Sequence, residues 1–375
     1  MTTLSLIQTL LRCPSVTPHH GGCFEVLEEF LKPLGFEITR VSFGDVTNFY
    51  ATRGVGNPHL CFAGHVDVVP PGDLKGWVVP PFEGVIEKDR LWGRGVADMK
   101  GAIGCFLGAT RTFIMDNPSQ GRISLLLTSD EEGPAIDGLQ RMIPWLRERN
   151  IQPDFFLIGE PTGPGPVGEM LKVGRRGSVT GHLRVSGTQG HIAYPHLADN
   201  PIPRLIDCLK DLMEMPLDSG TEVFEPSRLE ITSVDVANPV TNIIPSAAEA
   251  RFGLRFNTQH QGTTLCEQIR HVCQKKAGKH SLNLSLHGEA FLTEKTPWIQ
   301  KIAEALEMCT GKNPKLDTSG GTTDGRFLIH LAPVIECGLP ENTIHQVNEN
   351  VLLSDIEELE FIYGGILRRV FLEPA

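Results

Sequence analysis

No stretch of this chain approaches the ~18–20 consecutive apolar residues of a membrane-spanning helix, so no membrane partner is expected. A basic face is missing as well. The 34 lysines and arginines are outnumbered by 45 acids, for a formal charge of -11, which argues against a nucleic-acid partner. Cys-x-x-Cys does not occur. The nine cysteines, Cys13, Cys23, Cys61, Cys105, Cys208, Cys266, Cys273, Cys309 and Cys337, are odd in number and widely spread. That pattern argues against a thiolate zinc site or a disulfide framework, and for reduced thiols in a cytoplasmic protein. The first residues show no basic stretch ahead of an apolar core, so no secretory signal is expected there. No Gly-x-Ser-x-Gly elbow points to a serine nucleophile. Internal repeats, low-complexity tracts and long charge runs are absent too.

What remains is a chain of ordinary globular composition, 40% hydrophobic and 21% charged. Its 375 residues exceed one typical core, so two domains are expected. Apolar periodicity predicts helices over 5–11, 24–34, 101–113 and 138–149, and strands over 36–41, 48–52, 60–63, 123–128 and 155–158. After about Gly177 the order becomes β-α-β-β-α-β: strands at 179–185, 228–236, 247–256 and 281–287, helices at 200–215 and 264–277. This is a split βαβ, ferredoxin-like order. The α/β pattern then resumes, with helices at 297–308, from 325 and over 354–372, and a strand at 334–336. The chain therefore reads as a discontinuous catalytic domain, 1–177 plus 291–375, carrying an inserted domain at 178–290.

Acids and imidazoles end several of the strand-like runs. His65 and Asp67 close Leu60-Cys-Phe-Ala-Gly-His-Val-Asp67, Glu131 and Glu132 follow the run from Ile123, and Glu160 follows the run from Phe155. Asp98 lies in Gly93-Arg-Gly-Val-Ala-Asp-Met-Lys-Gly101, and His345 in Asn342-Thr-Ile-His-Gln-Val-Asn348. Taken singly each has a plain explanation. His65 could be a hydrogen-bonded core histidine, Asp98 a cap for the helix near Gly101, Glu131 and Glu132 a solvated turn, and Glu160 an ordinary strand end. Together they match what a two-metal hydrolase needs: a bridging carboxylate, a terminal imidazole and carboxylate on each ion, a free carboxylate as base and an orienting acid.

These stretches, with Thr128-Ser-Asp-Glu-Glu-Gly133, Gly159-Glu-Pro161, Gly174-Arg-Arg-Gly-Ser178, Gln189-Gly-His-Ile-Ala-Tyr194, Thr241-Asn-Ile-Ile-Pro245 and Ser319-Gly-Gly-Thr-Thr-Asp-Gly-Arg-Phe327, resemble the co-catalytic zinc aminoacylase and carboxypeptidase family over essentially the whole chain. The resemblance implies an α/β, zinc-exopeptidase-like catalytic domain with a mixed sheet, plus an inserted ferredoxin-like α+β dimerisation domain. It implies two zinc ions per subunit, with cobalt as a substitute. By position, Asp98 would bridge the ions, His65 and Glu160 would complete one site, and Glu132 and His345 the other. Glu131 would be the general base, Asp67 the orienting acid, and His191 a histidine reaching the neighbouring subunit's active site in a homodimer. The implied reaction is hydrolysis of an N-acyl amide on a small-molecule substrate with several carboxylates. Arg175, Arg255, Asn242 and the turn of Ser319, Gly320, Gly321 and Thr322 are the implied substrate contacts, the planar arginine fork suiting carboxylates. Strand-end arginines on a solvated surface are the plain alternative. Two other functions compete: deacylation of a different substrate such as N-acetylornithine, and a catalytically silent binding protein on the same fold. The intact Glu131 argues against silence.

Overall fold

The computed structural model describes residues 1–117 and 121–373. The chain divides into two compact units: 1–174, 293–317 and 323–375 form the first, and 175–292 with 318–322 form the second.

The first unit is built on an eight-stranded mixed sheet. Its order is Glu37–Phe43, Val46–Gly54, Arg122–Thr128, His59–His65, Phe155–Ile158, Val334–Glu336, Met170–Lys172 and Lys315–Asp317. The four central strands run parallel. They are short continuous apolar runs because helices cover both faces; every residue of His59–His65 and Phe155–Ile158 is buried. The helix Gly101–Asp116 is glycine-rich for a packing reason. A Cβ on Gly104 would lie 2.2 Å from Ile7 of the helix Thr3–Leu11, so only glycine lets the two helices approach this closely. Beneath the sheet, Phe62 stacks on Phe106 at 4.2 Å and the Tyr363 ring meets both edge-on. The second helix differs from expectation. It is α-helical only over Cys23–Leu31 and tightens into a single turn at Lys32–Leu34, where Pro33 supplies no amide donor.

Four central strands thus end on the same rim. His65 is the last residue of its strand, Glu131 and Glu132 follow Arg122–Thr128, and Glu160 follows Phe155–Ile158. Open α/β sheets place ligands at such carboxyl ends. A small sheet of Val85–Glu87, Arg90–Trp92 and Asn350–Leu352 supports the loops that carry Asp98 and His345.

The second unit is a four-stranded antiparallel sheet in the order Arg228–Asp235, Ala247–Phe256, Gly177–Ser186 and His280–Gly288. The helices Pro201–Met213 and Gly262–Lys276 cover one face. Period-2 burial along Ala247–Phe256 sends Ala248, Ala250, Phe252, Leu254 and Phe256 into the core with Leu205, Leu209, Leu265 and Ile269. Strand order and connectivity are ferredoxin-like.

Candidate metal centre and active site

In the first unit five residues converge. His65 is fully buried, and its Nδ1 donates to the Asp67 carbonyl at 2.9 Å. That bond leaves Nε2 as the lone-pair atom. Nε2 faces Asp98 Oδ1 at 3.1 Å and Glu160 Oε1 at 3.3 Å. The other oxygen of Asp98, Oδ2, faces His345 Nε2 at 3.4 Å, and His345 Nε2 lies 2.9 Å from Glu132 Oε1. Asp98 therefore splits its two oxygens between two imidazoles. It does not cap the helix beginning at Gly101, whose N-terminus has no side-chain cap. The Asp67 carboxylate accepts the amides of Glu131 at 3.3 Å and Glu132 at 3.0 Å, so one buried acid orients His65 through its carbonyl and the Glu131–Glu132 pair through its side chain. Glu131 groups with His65 and Glu160, and Glu132 with His65 and Asp98, each set with donor atoms within 4.8 Å of one another.

The electrostatics call for a cation. Burial, then the charge of Glu160, pushes the Glu131 carboxyl well above the usual carboxylate range. Burial, then Asp98, raises Glu160 to about 7, against the pull of His65. Hydrogen bonds to Asp98 and Glu132 lift His345 to about 10. Burial raises Asp98, but His345 and His65 more than reverse it and hold it below its ordinary value. Mixed imidazole and carboxylate donors suit zinc and similar divalent ions. The donor spacings of 2.9–3.4 Å match the edge of a tetrahedron with about 2.0 Å arms, about 3.3 Å. The residues fit a metal pair sharing Asp98.

The second unit groups the remaining predicted residues in two places. Arg175, 3% exposed, donates from Nη1 to the Ser319 carbonyl at 3.1 Å. Gly320, at φ +99°, passes so close that a Cβ would lie 2.4 Å from that Nη1. Arg255 is exposed next to the end of its strand, and partial desolvation, then the charge of nearby Arg176, lower its pKa. Elsewhere the short strand Gly190–His191 pairs with Ile243–Ile244, and the Ile192 amide donates to the Asn242 carbonyl at 3.0 Å. His191 and Asn242 are both exposed there, and Nδ1 of His191 accepts the Ala193 amide at 3.1 Å.

The sequence profile of peptidase family M20/M25/M40 matches residues 61–369, a span holding all five converging residues. The chain belongs to peptidase family M20/M25/M40. Among curated M20 relatives, the succinyl-diaminopimelate desuccinylase of Parvibaculum lavamentivorans is 48% identical, covering 99% of this chain and 96% of its own. The desuccinylase of Granulibacter bethesdensis is also 48% identical, over 97% of each. Among solved structures, the M20 family metallo-carboxypeptidase Sso-CP2 of Sulfolobus solfataricus shares the fold at TM-score 0.83 and 17% identity, covering 98% of both chains. A Bacillus subtilis protein described as a dinuclear metal binding peptidase of the M20 family aligns at TM-score 0.72 and 14% identity, over 99% and 98%.

Three residues of this M20 chain were missed from sequence. Asp324, 4% exposed, has no hydrogen bond to its carboxylate oxygens among the described residues and lies 3.6 Å from Arg326. Burial raises it to about 7, and its charge reaches Glu131. It stands two residues beyond Thr322 in the same motif, and an acid in an otherwise Gly- and Thr-rich turn was the available signal. Arg94 and Glu349 form a buried pair behind Asp98 at 2.7 Å. Arg94 stands between two glycines and Glu349 directly follows the His345 motif; nothing in their spacing links them.

Proposed function

We propose that this chain is a succinyl-diaminopimelate desuccinylase, which hydrolyses N-succinyl-LL-2,6-diaminopimelate to succinate and LL-2,6-diaminopimelate, a precursor for lysine and peptidoglycan. The Asp98 carboxylate divided between His65 and His345 carries the reaction class. The desuccinylases nearly half identical over almost the full length support the substrate.

In this reading Asp98 would be shared by two zinc ions, His65 and Glu160 would hold one and Glu132 and His345 the other, with cobalt as a substitute. When bound, the ions would supply Lewis acidity to polarise the amide carbonyl and lower the pKa of water. Glu131 sits among the donors and is spared from ligation. Its carboxylate removes the proton from the attacking water and delivers it to the departing amine nitrogen. Asp67 fixes the backbone of Glu131 and Glu132, so the base and a ligand move as one piece. Arg175 and Arg255 clamp substrate carboxylates, with Asn242 and the turn of Ser319, Gly320, Gly321 and Thr322 as hydrogen-bonding partners.

The second unit, 178–290 in its core, is the dimerisation domain in this reading, and the protein is a cytoplasmic homodimer. Two features support pairing. The strand Arg228–Asp235 is an edge of its sheet, and edges unprotected by cover invite a second strand. The neighbouring helix Pro201–Met213 leaves Ile206 and Met213 exposed. His191 serves the partner's site as an oxyanion donor.

The deciding experiment compares N-succinyl- with N-acetyl-diaminopimelate, with and without chelator. Loss of one charge-assisted contact, about 1.5–3 kcal/mol, predicts at least a ~10-fold lower kcat/KM for the acetyl compound. Equal turnover of the two, or turnover indifferent to chelation, refutes the reading.

A further inference from the structure

The two halves of the metal centre are held differently. His65 ends one parallel strand of the sheet and Glu160 closely follows a second, whereas Asp98 and His345 lie in connecting loops, Asp98 at a kink of non-helical backbone within Val96–Lys100. Those loops meet on one buried ion pair. Glu349 is 1% exposed and Arg94 2%. Glu349 Oε2 accepts Arg94 Nη1 at 2.7 Å and the Gly95 amide at 3.0 Å; Oε1 accepts the Ala97 amide at 2.9 Å and the Asp98 amide at 3.3 Å. Arg94 Nη1 also donates to the carbonyl of Gln346, next to His345, at 3.1 Å. The guanidinium lies over the Trp77 ring at 5.3 Å. Asn348 closes the other side, accepting the Val78 amide at 2.7 Å and donating to the Gly76 carbonyl at 3.0 Å. His345 and Asn348 both stand at positive φ, 59° and 67°, a conformation that the surroundings must hold for non-glycine residues.

We propose that Arg94 and Glu349 are positioning residues of the metal centre: their buried pair locks the Asp98 turn to the His345 loop and sets the affinity of the half formed by Asp98, Glu132 and His345. The inference rests on the two-metal reading above. A buried pair with no such task could be exchanged for apolar residues without loss. Here the carboxylate is spent on three backbone amides, the last of them that of Asp98 itself. Neither residue is among the metal ligands or substrate contacts assigned above.

The test is a titration of the metal-free, full-length protein with cobalt(II) chloride, followed by calorimetry and visible d–d absorption. Wild type, Glu349→Gln, Arg94→Lys, His345→Ala and the Glu349→Gln/His345→Ala double variant are compared. Wild type takes up two equivalents. Glu349→Gln keeps the first ion close to wild-type affinity and loses about 10–100-fold on the second, the usual scale for groups that orient ligands. Arg94→Lys keeps the buried charge but not the fork that spans Glu349 and Gln346, and weakens the same ion. Because Glu349 reaches the His345 loop through Arg94, its lesion costs less in the double variant than alone. Equal weakening of both ions, unchanged second-ion affinity or fully additive losses would each overturn the proposal. Should Glu349→Gln lose its far-UV circular dichroism, Arg94→Lys decides by the same criteria. A wild type that takes up fewer than two ions defeats the two-metal reading, and the inference with it.

Discussion

Glu131 and its neighbour Glu132 share an anchor, since Asp67 accepts both amides, and the proposed mechanism gives them different tasks. Replacing Glu131 by Ala should leave metal content unchanged and lower kcat by about 10²–10⁴-fold, the range of a lost general base. Metal analysis beside steady-state kinetics checks this, and a variant that sheds its metal shows Glu131 to be a ligand. A second single-residue prediction concerns His59, at the start of the strand that ends in His65. It is 2% exposed, with Nε2 2.8 Å from Ser124 Oγ. Burial, then the charge of Arg122, lowers its pKa to about 4. The unfolded chain binds this proton near pH 6.5, and the folded chain only near 4. Its stabilising contribution is therefore full above about 6.5 and is lost as pH falls toward 4, on the order of 3 kcal/mol. His59→Gln cannot take the charge, so its denaturant midpoint should fall less than that of wild type between pH 7 and 4.5. Parallel profiles would show that His59 titrates normally.

Strands decide where the donors sit, and Gly338 shows how little slack they have. It follows Val334–Glu336, the strand beside Phe155–Ile158. A Cβ there would lie 2.3 Å from the Glu160 carbonyl oxygen and 2.5 Å from that of Gly159. Backbone cannot rotate out of the way as a side chain can. Gly338→Ala should cost at least about 1–3 kcal/mol of stability and shift Glu160 off the centre, lowering both Tm and metal content; wild-type values for both would refute the clash. Elements of this kind were legible because central parallel strands are continuous apolar runs, and an acid within a few residues of such a run's end stands out, as Glu131 and Glu160 do. His345 follows no such run and was marked only by its motif. The strands Val85–Glu87, Arg90–Trp92 and Asn350–Leu352 are three residues each, too short for periodicity to register. Arg94 and Glu349 stayed hidden because they meet across 255 residues of sequence, and a carboxylate bonded to backbone amides leaves no pattern in side-chain spacing.

At the scale of the whole molecule, His191 is the residue that packing does not explain. It is exposed on a two-residue strand of the second unit, where, among the described residues, its ring meets the Ala193 amide and the ring of Tyr194 at 5.8 Å. Burial of the second unit's core asks nothing of it. An exposed imidazole beside Asn242, on a unit with an open sheet edge, is suited to work on another copy of the chain. His191→Ala should then lower kcat by about 10²–10³-fold, as for a lost oxyanion donor, with metal content unchanged. A hybrid dimer separates action across the interface from action within one chain. One subunit carries His191→Ala and the other Glu131→Ala, each with its own affinity tag, and the hybrid is purified through both. If His191 crosses the interface, both lesions fall in the site that holds the altered Glu131. The other site is intact, and the hybrid recovers about half of wild-type activity, as expected for one of two equivalent sites in a symmetric dimer. If His191 works within its own subunit, every site carries one lesion and the hybrid is as inactive as its parents. An inactive hybrid, or a wild-type protein that sediments as a fully active monomer, removes the partner subunit from the mechanism.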